Sequence, residues 1–408
     1  MKKKALLYIS SYRFTKIDKY KYEFDKLESK YNLKIIIHDL SDILSKRLDS
    51  VFLGEINKKN YYKFDSISHW LKSFKYLNRK YDLTIFNNVS RYGFNSIIIN
   101  FYLKQSNLPI IVSPSPQVYD PPIKQNLKSY IYKYKKIFTN PFLVYYYSKI
   151  YLVTFLNSLI IFKHLFILQS GSFSDYVVLR SKKKTIVDFH ARDYSNYLNI
   201  KKNIKKKNIV TYIDTAGPYF SDDWTMIGKK LNFNLKDWYL ILNNFLNFIE
   251  KKYKVKVIVV PHPKNRNQTN PYFNEKHGRF FDRSINASTK IIPISKFVLS
   301  YNAHSTAINY AIASSTPYFY TYSNEVKKDL RQYGLCLQLA KKTGCQTVNI
   351  SKSNNYKKFK FNKVKVNKNI FDNYKYEYLT SDKIKGVSNY KIMASIILKK
   401  INLNKKDV

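Results

Sequence analysis

Twice along this chain, apolar runs of strand length alternate with longer stretches that suit helices. In the first 120 residues the strand-like runs are Ala5–Ser10, Leu33–His38, Leu83–Asn87 and Pro109–Ser113. Tyr20–Tyr31 and Asn95–Gln105 lie between them as helix-compatible segments. A second series starts at Ile209 and runs through strand Ile209–Asp214, helix Leu235–Tyr253 and strand Val255–Val260. It continues with a strand near Ile291–Ile292, strand Phe297–Ser300, a helix from about Ser305 to Ala313, and strand Pro317–Thr321. Strands that alternate with helices must pair in parallel, with helices covering both faces of the sheet. The reading is therefore α/β, with two Rossmann-like domains facing a central cleft. Residues 1–200 form one and 201–408 the other, joined near the basic stretch Lys201–Lys207.

Several segments interrupt the alternation. Ser113–Pro122 contains four prolines and reads as a loop at a strand's carboxyl end, where open α/β sheets place ligands. Residues 123–170 read as a helical insertion, basic and aromatic in Lys128–Lys136 and apolar in Ile150–Gln169. The apolar part approaches the length that spans a bilayer, but Asn157, Ser158, Lys163 and His164 break it. A buried or interfacial helix is expected there. Gly171–Ser181 and Thr185–His190 look like short strands, residues 351–370 like an exposed loop, and Asp382–Leu403 like a basic helix. The start, MKKKALLYIS, reads as lysines ahead of a first strand rather than as a leader. Cys336 and Cys345 fit no metal or redox spacing, and reduced thiols are the default.

Charge narrows the range of partners. Lys and Arg number 72 against 27 Asp and Glu, a formal +45. Part of this reflects a residue usage crowded with Lys, Asn, Ile, Tyr and Phe. The rest favours polyanionic partners such as a phospholipid surface, nucleotide phosphates or acidic glycans. The basic residues are spread along the chain. No zinc spacing, RNP-like segment or helix-turn-helix accompanies them, so nucleic acid is not the expected partner. Phosphate-binding P-loop and glycine-rich dinucleotide patterns are absent too, which argues against kinases and NAD enzymes.

The chemistry-bearing residues cluster in the second half. Val257–Arg266 reads VIVVPHPKNR, a strand ending in Pro261-His262-Pro263 with Lys264 and Arg266 behind it. Two prolines fix the loop, and an imidazole beside two cations suits a phosphate or diphosphate. The plainer reading is a histidine in a surface turn. About forty residues on, His304, Ser305 and Thr306 precede a helix, where hydroxyls and free N–H groups complete an anion site. Plain capping is compatible with that role. Asp214, at the end of a strand, is the first candidate for a general base, or for ordering the following turn with Gly217. Asp120 and Asp39 are the other strand-end acids considered. Asp193, beside Arg192 and His190, reads as an ion pair supporting the linker, and Asp222-Asp223 as structural or in contact with substrate.

Taken together, YIDTAGPYFSDDW (Tyr212–Trp224), VPHPK (Val260–Lys264), HGRFF (His277–Phe281) and HSTAINYA (His304–Ala311) resemble the donor domain of GT-B glycosyltransferases. The likeness is to those acting on surface polymers, including the polysialyltransferase, capsule Kdo-transferase and teichoic-acid polymerase groups. It covers roughly Val177–Ile397. The resemblance implies that His262, Pro263 and Lys264, with Gly217, His304, Ser305 and Thr306, bind the phosphates of a CMP- or UDP-linked sugar. It implies catalytic roles for Asp214 and His262, and no metal and no cofactor beyond the donor. Asn309 is counted with these donor-binding residues; it stands near the place where many such enzymes carry a ribose-binding Glu, a departure from the pattern.

The expected function is sugar transfer to a lipid-linked or oligosaccharide acceptor in bacterial capsule or lipopolysaccharide synthesis. The expected location is cytoplasmic, peripheral on the inner membrane through the basic aromatic helices. A polyol-phosphate transferase, an epimerase of the same shape and a nucleic-acid-binding protein are the rival readings.

Overall fold

The computed structural model describes residues 2–44, 56, 58–89, 93–113, 141–172, 179–201, 204–214, 234–262, 270–272, 280–284, 286–301, 305–328 and 330–398. Two sheets organise them. The first comprises β1 (Lys4–Ser10), β2 (Lys34–Asp39), β3 (Tyr61–Lys63), β4 (Asp82–Asn88), β5 (Ile110–Val112), β6 (Ile161–Ser170) and β7 (Arg180–Phe189), in the order 3-2-1-4-5-6-7. The second comprises β8 (Ile209–Ile213), β9 (Lys256–Val260), β10 (Phe280–Phe281), β11 (Phe297–Tyr301), β12 (Tyr318–Tyr322) and β13 (Gln346–Asn349), in the order 10-9-8-11-12-13. Each neighbouring pair is parallel. The two-Rossmann α/β architecture expected from the sequence is the one observed.

Alternate strand residues serve opposite faces, and both faces are buried. Ala5, Leu7, Ile9, Leu83 and Ile85 pack toward helices Ile67–Lys80 and Phe94–Gln105. Leu6, Tyr8, Ile35, Ile37 and Phe86 pack toward helix Phe24–Tyr31 and, from the far end of the chain, helix Asn389–Ile397. In the second sheet Val210, Tyr212, Val257 and Leu299 meet helix Leu235–Tyr253. That helix begins where the Asn234 side chain accepts the Asp237 N–H at 3.3 Å. It ends at Lys254 in the left-handed region and buries Trp238, Leu242, Phe245, Leu246 and Ile249 on one face.

Four expectations are corrected. Ile150–Gln169 is not one helix: helix Pro141–Ser158 ends, and Ile161–Ser170 is a strand between β5 and β7, with Ile110 opposite Leu165. Leu165 to Leu168 are all buried, and a strand covered on both faces loses the alternation that marks strands. Ile291 and Ile292 lie in helix Ala287–Ile294, whose Pro293 cannot donate to the carbonyl four residues back and stands one residue before the helix ends. Residues 351–370 are not a free loop. Phe361 is buried against Phe319 at 5.0 Å and Phe297 at 5.6 Å, and Tyr356 against Phe245 at 5.1 Å. Each such ring contributes about 2 kcal/mol of apolar burial. The basic helix expected over Asp382–Leu403 is, among the described residues, a 3-10 turn Asp382–Ile384 and a helix Asn389–Ile397, which buries Ile392, Met393, Ile396 and Ile397. The strand read at Gly171–Ser181 falls partly outside the described residues. Gly171 ends β6 in a left-handed turn, and β7 begins at Arg180.

Segments that follow strands of the first sheet bond to the second half of the chain. Tyr20, on the helix after β1, donates to Thr289 Oγ1 at 3.2 Å in the first turn of Ala287–Ile294. The Ser172 N–H, past the end of β6, donates to Tyr376 O at 3.0 Å, and the Ala191 N–H, past β7, to Leu379 O at 2.8 Å. These acceptors lie in the π-helical turn Lys375–Leu379 that carries the chain back to the first domain. Gly171, at φ +66°, sits so close to this turn that an added Cβ would stand 2.5 Å from the Glu377 carbonyl. Gly171→Ala is expected to lower stability by about 2–4 kcal/mol, read as a lower urea midpoint. An unchanged midpoint means the junction does not hold that close approach.

Candidate functional site

In the second sheet the chain builds outward through β8, β9 and β10, then returns to lay β11 on the other side of β8. Ligands of open α/β sheets bind at such reversals, outside the strands' carboxyl ends. Asp214 follows β8, His262 follows β9 by two residues, and Ser305 and Thr306 follow β11. These are three adjacent strands, so the groups span about 10 Å at the usual strand spacing.

Asp214 is buried, and its N–H donates to Val260 O at 3.0 Å, extending the β8–β9 ladder one step past the strand. That bond sets the carboxylate beside the point where β9 runs into Pro261 and half-buried His262. Ser305 is half-buried and Thr306 exposed. The helix expected from Ser305 begins later, at Ile308, with Ala307 as its cap. The Ser305 hydroxyl oxygen accepts the Ala307 N–H at 3.3 Å, in a turn that precedes the helix. Gly217, Pro263, Lys264 and His304, and the acids Asp120, Asp222 and Asp223, lie outside the described residues.

Asn309 faces inward. It is fully buried, and its amide donates to Asp193 Oδ2 at 3.4 Å, while Tyr310 OH donates to Asp193 Oδ1 at 3.0 Å. The Thr289 hydroxyl donates to Tyr310 OH at 2.9 Å. Asp193 thereby supports the Ser305 turn from below and connects it to Tyr20 of the first domain. The Tyr310 phenol is held well above its usual pKa, first by burial and then by the Asp193 charge. Asp39 is enclosed: it accepts from the N–H groups of Phe14 and Ser41 and from Tyr61 OH. A carboxylate so occupied holds a loop rather than an acceptor proton.

The sequence reading missed Glu23. It is buried in a left-handed backbone conformation and accepts from Ser195 Oγ at 2.7 Å and Asn199 Nδ2 at 2.6 Å. Lys26 approaches it at 3.3 Å. Nearby, the Arg192 guanidinium stacks on the Tyr22 ring at 4.8 Å and donates to its hydroxyl at 3.0 Å. Within Tyr20–Tyr31, read as one helix-compatible segment but broken in the structure at Glu23 between helices Lys16–Lys21 and Phe24–Tyr31, an acid carries no sequence mark that distinguishes it from a surface residue.

The first sheet contributes a small cavity of about 80 Å³ at the ends of β4 and β5, lined by Asn87, Asn88, Val89, Asn100, Val112, Ser113 and Leu179. It has room for a few waters or one polar edge of a ligand. Asn87 donates to Asn100 at 3.0 Å and Asn100 to Asn157 at 2.7 Å, so the floor is a chain of satisfied amides. A wider groove, of about 840 Å³, lies at the interdomain turn between Ser172, Lys341, Tyr374 and Glu377, with Lys342 paired to Glu377 at 2.6 Å. Neither opening is lined by Asp214 or His262. Among the described residues no cluster of His, Cys, Asp and Glu is disposed to hold a metal ion. Cys336 and Cys345 are both free thiols, and burial pushes each up to about 12.

No protein-family model and no curated protein matches the sequence. Among solved structures, the chain is similar to the wall teichoic acid polymerase TagF at 12% identity, covering 98% of this chain and 89% of that one, with a TM-score of 0.49. It is similar to MurG of Acinetobacter baumannii at 8% identity, covering 97% and 99%, with a TM-score of 0.42. It is also similar to WaaG, a glycosyltransferase involved in lipopolysaccharide biosynthesis, at 11% identity, covering 96% and 99%, with a TM-score of 0.37. At such identities and TM-scores, substrate and chemistry have to be argued from the site itself.

Behind the site, His190 anchors the crossing of the chain between domains. Its N–H donates to Asn389 Oδ1 at 2.9 Å, and the Asn389 amide returns a bond to His190 O at 2.9 Å. Ring Nε2 donates to Val387 O at 2.6 Å, which leaves Nδ1 to face Thr380 Oγ1 at 2.7 Å. Burial pushes the imidazole down to about 4 from an ordinary 6.5. The unfolded chain therefore binds a proton that the folded one refuses. The stability from this site is complete above about pH 6.5 and is lost progressively toward about pH 4, by roughly 3 kcal/mol. His38, pushed down to about 3 by burial, adds a slope of the same sign. The melting temperature is expected to fall between about pH 7 and about pH 4, with a shallower slope in His190→Gln. Equal slopes would show that His190 titrates normally.

Proposed function

We propose that the chain is a glycosyltransferase of the GT-B kind that moves a sugar from a CMP- or UDP-linked donor to a glycan of the bacterial surface. One observation carries this reading. Asp214, His262 and Ser305 follow three adjacent parallel strands around the reversal of the second sheet. A donor held at this edge meets an acceptor held by the first domain.

In this reading His262 binds the donor phosphates, with Pro263 fixing its loop and Lys264 adding charge. Gly217, His304, Ser305 and Thr306 complete the phosphate site. As the sugar departs, negative charge grows on the leaving nucleotide, and fixed donors stabilise it without a metal ion. Asp214 accepts the proton of the attacking hydroxyl. Its burial beside the β9 end gives it a fixed direction, which a general base needs. Asn309 and Asp193 keep the Ser305 turn in place. The acceptor is a lipid-linked or oligosaccharide chain of capsule or lipopolysaccharide type, met at the cytoplasmic face of the inner membrane.

Calorimetry with CMP, CDP, UDP and GDP tests the donor site. One nucleotide is expected to bind, and His262→Ala to weaken it about 10–100-fold by removing one charge-assisted contact, with an unchanged melting temperature. Binding of none of the four sinks the reading. Asp214→Asn is expected to leave nucleotide affinity within about threefold while turnover falls about 10²–10⁴-fold. Turnover is expected to survive EDTA; loss that magnesium restores would remove the metal-free step.

A further inference from the structure

Helix Pro141–Ser158 is apolar on every side, with Lys149 as its only charged residue. Such a helix belongs in a core or in lipid. Among the side chains described on it, Val153 and Asn157 are buried, whereas Tyr151 is 73% exposed, Tyr145 62%, Phe155 59% and Leu152 48%. The neighbouring helix Phe94–Gln105 presents Phe94, Ile98 and Phe101 to solvent at helical spacing. Lys149 Nζ joins the two helices, lying 5.5 Å from the Phe94 ring and 5.9 Å from the Tyr145 ring. More than half of the large hydrophobic side chains exposed among the described residues lie on this one face and its continuation at Leu159 and Ile161.

We propose that this face docks on an anionic phospholipid surface. The charge around it selects that occupant. Asp120 is the only acidic residue between Leu83 and Ser174, whereas Lys104, Lys149 and Lys163 flank the apolar side chains. A second copy of the chain would bring lysines against lysines across a two-fold axis, whereas lipid phosphates neutralise them. Tyrosines and lysines are the residues that settle at the headgroup level, ring inward and charge outward. No helix of the described residues is long and apolar enough to cross a membrane. Helix Pro141–Ser158 is also tied down: Asn157 donates to Ser96 Oγ at 3.1 Å and accepts from Asn100 at 2.7 Å. It lies along the surface and does not insert end-on.

The same asparagines reach the cavity at the ends of β4 and β5, because Asn100 also accepts from Asn87. Docking therefore holds that cavity beside the lipid headgroups, within reach of an acceptor anchored in the membrane. This last step rests on the transferase reading; the docking itself does not.

Flotation of the full chain with vesicles of phosphatidylcholine, with and without phosphatidylglycerol, tests the proposal. The protein is expected to float with the anionic vesicles and to be released in part by salt. The double variant Tyr151→Glu/Phe155→Glu is expected to lower the bound fraction about tenfold, while Leu240→Glu, an equally exposed position on the second domain, leaves it unchanged. Absence of binding by the wild type, equal binding by the double variant, or equal loss in the Leu240→Glu control overturns the proposal. So does a wild-type dimer in sedimentation velocity that the double variant dissolves. Melting curves confirm that the variants fold. Nucleotide calorimetry on the same samples separates the two readings: nucleotide binding without flotation defeats docking alone, and flotation without nucleotide binding defeats the transferase alone.

Discussion

Parallel pairing of strands decides most of what this molecule can do. Two neighbouring parallel strands cannot be joined by a hairpin, so each connection must cross a face of the sheet and begin again at the opposite edge. Every strand-to-helix turn of a domain is thereby delivered to one edge, and the residues in those turns are neighbours however far apart they stand in sequence. Asp214, His262 and Ser305 are brought side by side in this way, and so are Asn88 and Ser113 in the first domain. One constraint on backbone hydrogen bonding thus gathers residues that are distant in sequence at one edge of each sheet.

The segment of residues 190–199, which leads from the first sheet to the second, uses a different physics. It is built from buried polar groups, each with a partner: Glu23 with Ser195 and Asn199, Asp193 with Asn309 and Tyr310, His190 with Asn389 and Val387. Removing one member of such a pair strands the other, which costs more than the intact bond contributes. An apolar joint would tolerate sliding, whereas directional bonds accept one arrangement. Helix Arg192–Leu198 supplies Asp193 and Ser195 to two of these sets and so couples the floor of the Ser305 turn to the first domain.

Much of this was legible in the sequence, for identifiable reasons. The helix Leu235–Tyr253 was read to the residue from its apolar spacing, and the Asn234 cap found in the structure agrees with that start. Strand β4 was read within a residue at each end because short apolar runs bounded by polar residues rarely mean anything else. Ile161–Ser170 was misread because burial on both faces removes periodicity, leaving a run that looks like the helix before it. Phe361 was misread because its neighbours in sequence are lysines and asparagines, while its partners, Phe297 and Phe319, are far away in the chain. The strand-end positions of Asp214 and His262 were visible from pattern alone. The inward turn of Asn309 was not, because a buried amide and a ligand-binding amide look the same until the acceptor, Asp193, is known. Glu23 left no trace for the same reason.

Helix Asn389–Ile397 closes one face of the first sheet, packing on helix Phe24–Tyr31 and β1, and Lys4 Nζ donates to Leu398 O at 2.6 Å. The amino-terminal half therefore leaves the ribosome with Leu6, Ile35 and Ile37 only partly covered. It waits in that state while the entire second domain is made. Completion of the first domain's core thus depends on a contact of very high sequence separation. The first domain is completed only in chains whose second domain has already been synthesised.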